Sequence, residues 1–239
     1  MLFESIVDRI RPDALDIRLD EGFCREVADV YDRAPAWAPD RGLARSYRAL
    51  QRTSLRQFAL VAAAGIRVEP WRGEGLPYRD STELRGSVRE TRVLKLHLTA
   101  SGHGSVPGPA GHPMRTPSGV EVDGVPLCHN DIFRVVHDVF GHVAFDQGFG
   151  PRGEFTATHL HARMYPAPAR SALFTEQIGQ VCWFFFGPHL RDAAGVPRAP
   201  GDEGYLPARH RPYPQQKVFA FHRRYLDRFG ALFTTEESR

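Results

Sequence analysis

The stretch HNDIFRVVHDVFGHVAF, from His129 to Phe145, constrains the fold more than any other part of the chain. Ile132, Phe133, Val135, Val136, Val139 and Phe140 make it apolar on more than one side, so a helix here has no face to offer to water. Asn130 or Asp131 is a natural N-cap for it. Such a helix has to be covered by others, and it carries His137 and His142 into the interior with it. Buried imidazoles without partners are costly, so each needs a hydrogen-bond partner or a metal.

The spacing of that pair matters. Histidines four apart on an α-helix are rotated by about 40° and share a face, as in zinc proteases. Five apart, the rotation is roughly 140°, and an ideal straight helix points the rings away from each other. Gly141, just before the second histidine, is expected to end or bend the helix and swing His142 back towards His137. Two histidines that hold a metal usually want an oxygen ligand as well, and Glu154 and Glu176 follow on the next two helices. Glu176 is the expected third ligand, because ALFTEQIGQVCWFFFG is so apolar that Glu176 and Gln180, one turn apart, form the polar stripe of a buried face. Two histidines and one carboxylate with open positions make the facial triad of non-haem Fe(II) oxygen chemistry. Glu154 and His161 are seven apart and share a helix face, which suits a second metal or a shell of groups that orients the ligands. Asp138 points away from His137 on the helix and is expected to cap, to pair with Arg134 or to orient another group.

Eleven histidines stand in the chain, and His112, His129, His137, His142, His159 and His161 fall within about fifty residues of one another. Most single histidines on apolar helices are hydrogen-bonded core residues, so the pair around Gly141 stands out and the others do not. Arg134, Arg163 and Arg170 could each meet an anionic group, although a salt bridge or solvent is the plainer fate of an arginine. The aromatic run Trp183 to Phe186 reads as core.

Helical patterning also covers GFCREVADVYDRAP and SYRALQRTSLRQFALVAAAG near the start, with Gly65 as a stop. IRVEPW and TRVLKLHLTA alternate with period two and predict a small sheet, with Leu96 and Leu98 on its buried face. The Gly- and Pro-rich stretch from Ser101 to Gly124, with His103 and His112, predicts a long irregular loop that could close over the site. RGEFTATHLHARMY, ARSALFTEQIGQVCWFFFG and QQKVFAFHRRYLDRFGALF predict three more helices. The fold class that follows is α+β, mainly α: a single catalytic domain over 1–239, with N-terminal helices over 1–65, a small sheet and long loop over 66–128, and a helical metal-binding core over 129–239.

Composition excludes several alternatives. A chain of 239 residues with 42% hydrophobic and 25% charged content is neither disordered nor a coiled coil. The formal charge of +3 comes from scattered arginines, which does not imply nucleic acid. Cys24, Cys128 and Cys182 are far apart, with no C-x-x-C pair, which rules out a disulfide scaffold or zinc ribbon. No run of apolar residues reaches membrane-spanning length, and no signal peptide opens the chain, so a cytoplasmic location is expected. The expected partners are a small-molecule substrate and O₂, with neither nucleic acid nor membrane.

HDVFGHV resembles the H-D/E-x-x-G-H-V signature of the pterin-dependent aromatic amino acid hydroxylases, whose two histidines and a later glutamate hold iron. The resemblance implies Fe(II) on His137, His142 and Glu176, the last lying seven residues before Trp183 in CWFFFG, where that family has W-F-x-x-E-F-G. The His137-Asp138 pair is also similar to the metal pair of HD-domain phosphohydrolases. The motif order NDIFRVVHDVFGH, GPRGE, TEQIGQVCWFFFG resembles a group of bacterial and large-phage proteins of unassigned activity. The facial-triad reading and the hydroxylase resemblance imply a non-haem iron oxidoreductase of the oxygenase or hydroxylase type, acting on a small molecule such as an amino acid or its derivative. Glu154, His161 and Gln180 are expected to support the metal, and Arg134 to anchor substrate. The alternatives are a metal-dependent phosphohydrolase and a non-catalytic helical module built on a structural metal or histidine network.

Overall fold

The computed structural model describes residues 7–8, 15–101 and 108–235. Strand β1 (Leu15–Ile17) leads to helix α1 (Glu21–Arg33) and the long helix α2 (Arg41–Ala63). Aspartates start both helices: Asp20 accepts from the Phe23 amide at 3.0 Å and Asp40 from the Leu43 amide at 2.7 Å. Each such cap contributes about 1 kcal/mol. Strand β2 (Arg67–Pro70) then crosses through helix α3 (Ser81–Gly86) and a π turn (Ser87–Thr91) to the parallel strand β3 (Val93–Leu96). Strands β4 (Pro117–Val122) and β5 (Val125–Cys128) form a hairpin that feeds directly into helix α4 (His129–His137).

Helix α4 continues as a π turn (Asp138–Val143) and is followed by α5 (Pro151–Ala162). The next helical rod joins α6 (Arg170–Leu173), a second π turn (Phe174–Gly179) and α7 (Gln180–Phe186). Helix α8 (Arg223–Gly230) and strand β6 (Phe233–Thr235), paired antiparallel with β1, close the described chain. The result is an α+β domain, mainly α and compact. One apolar cluster joins Phe23, Val27 and Tyr31 of α1 to Phe155 of α5, Ile178 and Phe229, so the two ends of the chain share a core. A second gathers Leu94, Leu96, Val136, Val139 and Phe140 around α4. Phe140 is fully buried there, a contribution of about 2–3 kcal/mol. No described helix is long and apolar enough to cross a membrane.

Four expectations change. The small sheet is three separate two-stranded pairs. The irregular loop after Ser101 contains strand β4, turned into β5 at Asp123 and Gly124, whose φ values are +50° and +74°. Two central residues with positive φ define the tight hairpin turn that an Asp-Gly pair favours. His103 lies outside the described residues. The cap of α4 is a box in place of a simple N-cap: Asp131, inside the first turn, reaches back to accept from the Cys128 amide at 2.9 Å. Finally, residues 215–222 are extended and only Arg223–Gly230 is helical. That segment is held by main-chain bonds to the loop after α1, with the Val218 amide donating to Ala36 at 2.9 Å and the Ala38 amide donating to Val218 at 2.7 Å. Lys217 also caps the end of α1, its Nζ donating to the carbonyls of Tyr31, Asp32 and Ala34 at 2.8 Å each.

Candidate metal centre

His137 and His142 converge because the helix does not end at Gly141. It widens into a π turn, in which the Ala144 amide donates to Val139 at 2.9 Å and the Gln147 amide donates to His142 at 3.1 Å, both five residues back. One extra residue per turn places residues five apart where residues four apart stand on an α-helix. Gly141 serves this turn by its size. An added Cβ would stand 3.2 Å from Ala157 Cβ and 3.2 Å from the His137 ring, so a side chain here would press on the imidazole. The two rings meet edge to face with centroids 5.0 Å apart.

The carboxylate between them is Glu154, where the sequence pointed to Glu176. His137 Nε2 is 3.6 Å and His142 Nε2 3.5 Å from Glu154 Oε2, and the three ligand atoms lie within 4.8 Å of one another. Glu154 stands in the first turn of α5, which starts at Pro151, where the helix dipole favours a negative charge. Burial opposes its ionisation, but the imidazoles of His142 and His137 prevail and hold its carboxyl down to about 2. Conversely, burial works against a charged His142, and Glu154 outweighs it and raises the imidazole's pKa. The pair is therefore stable as an ion pair, and a dication binding there displaces a proton from His142.

Glu176 has other partners. Its Oε1 accepts from Tyr47 Oη at 2.5 Å and faces His112 Nε2 at 3.3 Å, off the line of a good hydrogen bond, while its Oε2 accepts from Gln180 at 3.1 Å. His112 is oriented by its Nδ1, which accepts from the Met114 amide at 3.2 Å. Burial and the nearby Glu176 push the Tyr47 hydroxyl well above the ordinary phenol range, so it stays a donor. Gln180 thus supports Glu176 and not the histidine pair. Among the described residues, the one group of three that could hold a metal is His137, His142 and Glu154.

His161 stands behind His137, with the two Nδ1 atoms 3.3 Å apart, and its Nε2 is 2.8 Å from Gln57 Oε1. Burial, then the His137 and His142 charges, hold His161 well below the usual histidine range, so it carries a single proton. An oxygen on Gln57 draws that proton to Nε2. His161 Nδ1 is then an acceptor, His137 donates to it from Nδ1, and His137 Nε2 is the nitrogen turned towards Glu154. Gln177 agrees with this order, its Nε2 donating to His137 Nε2 at 3.0 Å and to Glu154 Oε2 at 3.1 Å. Phe133 stacks on both His137 and His161, Phe140 stacks on His161, and Phe149 meets His142 edge-on at 5.0 Å.

Arg134, on α4, stands one turn before Asp138, the first residue of the π turn. Burial pulls its pKa below the ordinary arginine range, against the pull of Asp138, and burial likewise raises the Asp138 carboxyl. Asp138 is outside the ligand group. Sequence reasoning missed Gln57, Gln147, Gln177 and Tyr47; only Gln177, beside a singled-out glutamate, carried any signal. Comparison with protein-family models, with curated proteins and with solved structures found no match.

Proposed function

We propose that the protein is a mononuclear non-haem iron oxidoreductase, with His137, His142 and Glu154 holding Fe(II) and a small molecule as the substrate oxidised with O₂. The observation that carries this reading is the meeting of one nitrogen from each of two imidazoles and one carboxylate oxygen within 4.8 Å, with both Nε2 atoms turned to Glu154 Oε2. Two histidines and one carboxylate are the donor set of non-haem iron oxygenases, and the resemblance of HDVFGHV to the hydroxylase signature points the same way. Iron, when bound, supplies electrons and the open coordination positions at which O₂ and substrate can meet. The chain's own groups do the rest. The His161–Gln57 chain fixes the tautomer of His137, Gln177 orients the Glu154 carboxylate, and Phe133, Phe140 and Phe149 keep the imidazoles out of water.

A purely structural metal would be closed off. Here the Glu154 side chain keeps 14% of its surface exposed against 2% for His142, so the carboxylate side is the approach to the centre. The position of Asp138 outside the ligand group favours the triad over a His-Asp hydrolase pair. The reading includes a reducing, cytoplasmic location, which the free thiols of Cys24, Cys128 and Cys182 support.

Elemental analysis after anaerobic ferrous reconstitution tests the proposal. Stoichiometric iron that is lost in His137→Ala, together with a ferrous-nitrosyl signal on adding nitric oxide, is the expected result. Tight zinc with no iron retention would move the reading to metal-assisted hydrolysis. Absence of any bound metal would overturn it.

A further inference from the structure

On the far side of α5 from its entry turn lies a cavity of about 220 Å³, enclosed by α5, the Leu173–Ile178 stretch and α8. Its floor is apolar, formed by Leu173, Phe174, Ile178 and Phe229, all nearly fully buried. Arg163 and Arg170, both exposed, stand at its lining, and no carboxylate does. Neither arginine pairs with a carboxylate among the described residues. His159, also in the lining, is kept neutral near pH 7 because burial and Arg163 lower its pKa to about 4, so the positive charge belongs to the arginines alone.

The cavity therefore presents an apolar floor with two cations at its mouth, neither paired with a carboxylate among the described residues.

We propose that this cavity is a binding site for a small amphiphilic carboxylate, held by Arg163 and Arg170 with its apolar body on Phe174, Leu226 and Phe229. The volume is below the ~300 Å³ at which sites for drug-sized ligands begin, so the ligand has on the order of ten non-hydrogen atoms. Guanidinium groups suit a carboxylate because their planar donors match its two oxygens. None of His137, His142 and Glu154 lines the cavity, so the site stands independently of the metal centre.

Octanoate is the probe, titrated calorimetrically into the full chain with a chelator present, so that no metal can hold the carboxylate. The expected result is saturable one-to-one binding, stronger than that of 1-octanol or acetate. Arg163→Gln combined with Arg170→Gln should weaken octanoate by about tenfold, as two partly desolvated charge contacts are lost together, and leave 1-octanol unchanged. Leu226→Trp, at the half-buried rim, should fill the cavity and abolish binding. Octanoate failing to saturate, or binding the double arginine variant as tightly as the parent, would overturn the proposal. Both arginines are exposed, so an unchanged melting curve of the double variant keeps the comparison free of unfolding.

Discussion

His137 and His161 face each other through their Nδ1 atoms at 3.3 Å, and His161 passes the contact on to Gln57 at 2.8 Å. This chain fixes which nitrogen of His137 is turned to the carboxylate. His161→Phe retains a buried ring among Phe133, Phe140 and Tyr165 but leaves the His137 Nδ1 proton without an acceptor. Metal affinity is expected to fall about 10–100-fold while saturating metal still loads the site, as for other groups that orient a ligand. Competition with a chromophoric chelator measures this, and an unchanged affinity would remove the chain from the account.

Gly141 is a second close neighbour of the His137 ring. Gly141→Ala places a methyl group 3.2 Å from Ala157 Cβ and from the His137 ring, tighter than ordinary contact, so one of these neighbours has to give way. The expected cost is about 1–3 kcal/mol of stability. Because the methyl presses on His137, metal affinity should drop together with the urea midpoint. A midpoint shift without an affinity change would mean that His137 is not under pressure from this side.

Gln177 sits within hydrogen-bond reach of both His137 and Glu154. Gln177→Glu brings a second carboxylate to the cluster, about 3 Å from the first. The metal-free variant should unfold at lower temperature than the parent, by the repulsion of like charges. A dication reverses the sign, so the variant should gain more thermal stability on adding metal than the parent does. Equal gains would show that Gln177 does not border the bound ion.

Acid should destabilise the fold through neutral histidines that are half-buried or buried. His159 is pushed down to about 4, first by burial and then by Arg163, whereas an unfolded histidine titrates near 6.5. Between those values the unfolded chain takes up a proton that the native protein refuses, so stability is full above about pH 7 and falls as the pH drops towards 4. His161 acts in the same direction. His159→Phe keeps the stack on Phe233, whose ring centroid is 3.9 Å away, and removes one such proton. Urea unfolding at pH 7 and pH 4.5 should show a shallower acid loss in the variant. A parallel loss in both proteins would contradict the assignment.

Much of the frame is legible in the sequence because hydrophobic period reports it directly. The helices over α1, α2, α5 and the α6–α7 rod lie where their apolar spacing places them. So does the burial of His137 and His142. The third member of the group was not legible from helix apolarity. Glu176 is indeed buried, but its neighbours Tyr47 and His112 arrive from α2 and a turn far off in sequence, and they take its oxygens. Glu154 was chosen by tertiary packing of α5 on the π turn, which no local pattern announces. The five-residue spacing, which an α-helix cannot use to pair two rings, pointed to an end or bend at Gly141, where the helix instead widens into a π turn. The run before α8 misled the helical reading, since Val218, Phe219 and Phe221 are all buried although the segment is not helical. The Asp123-Gly124 hairpin was readable from the turn pair with valines on either side, inside a stretch whose glycines and prolines suggested only a loop.

The most direct test of the central claim is a ferrous titration under anaerobic conditions of Glu154→Gln beside Glu176→Gln. Both substitutions keep the side-chain volume and remove one charge. If Glu154 completes the triad, Glu154→Gln loses metal affinity by about 100-fold or more, and Glu176→Gln stays within about tenfold of the parent, paying only through the loosened Tyr47 and His112 contacts. The opposite ranking, with iron lost on changing Glu176 and retained on changing Glu154, would contradict the account.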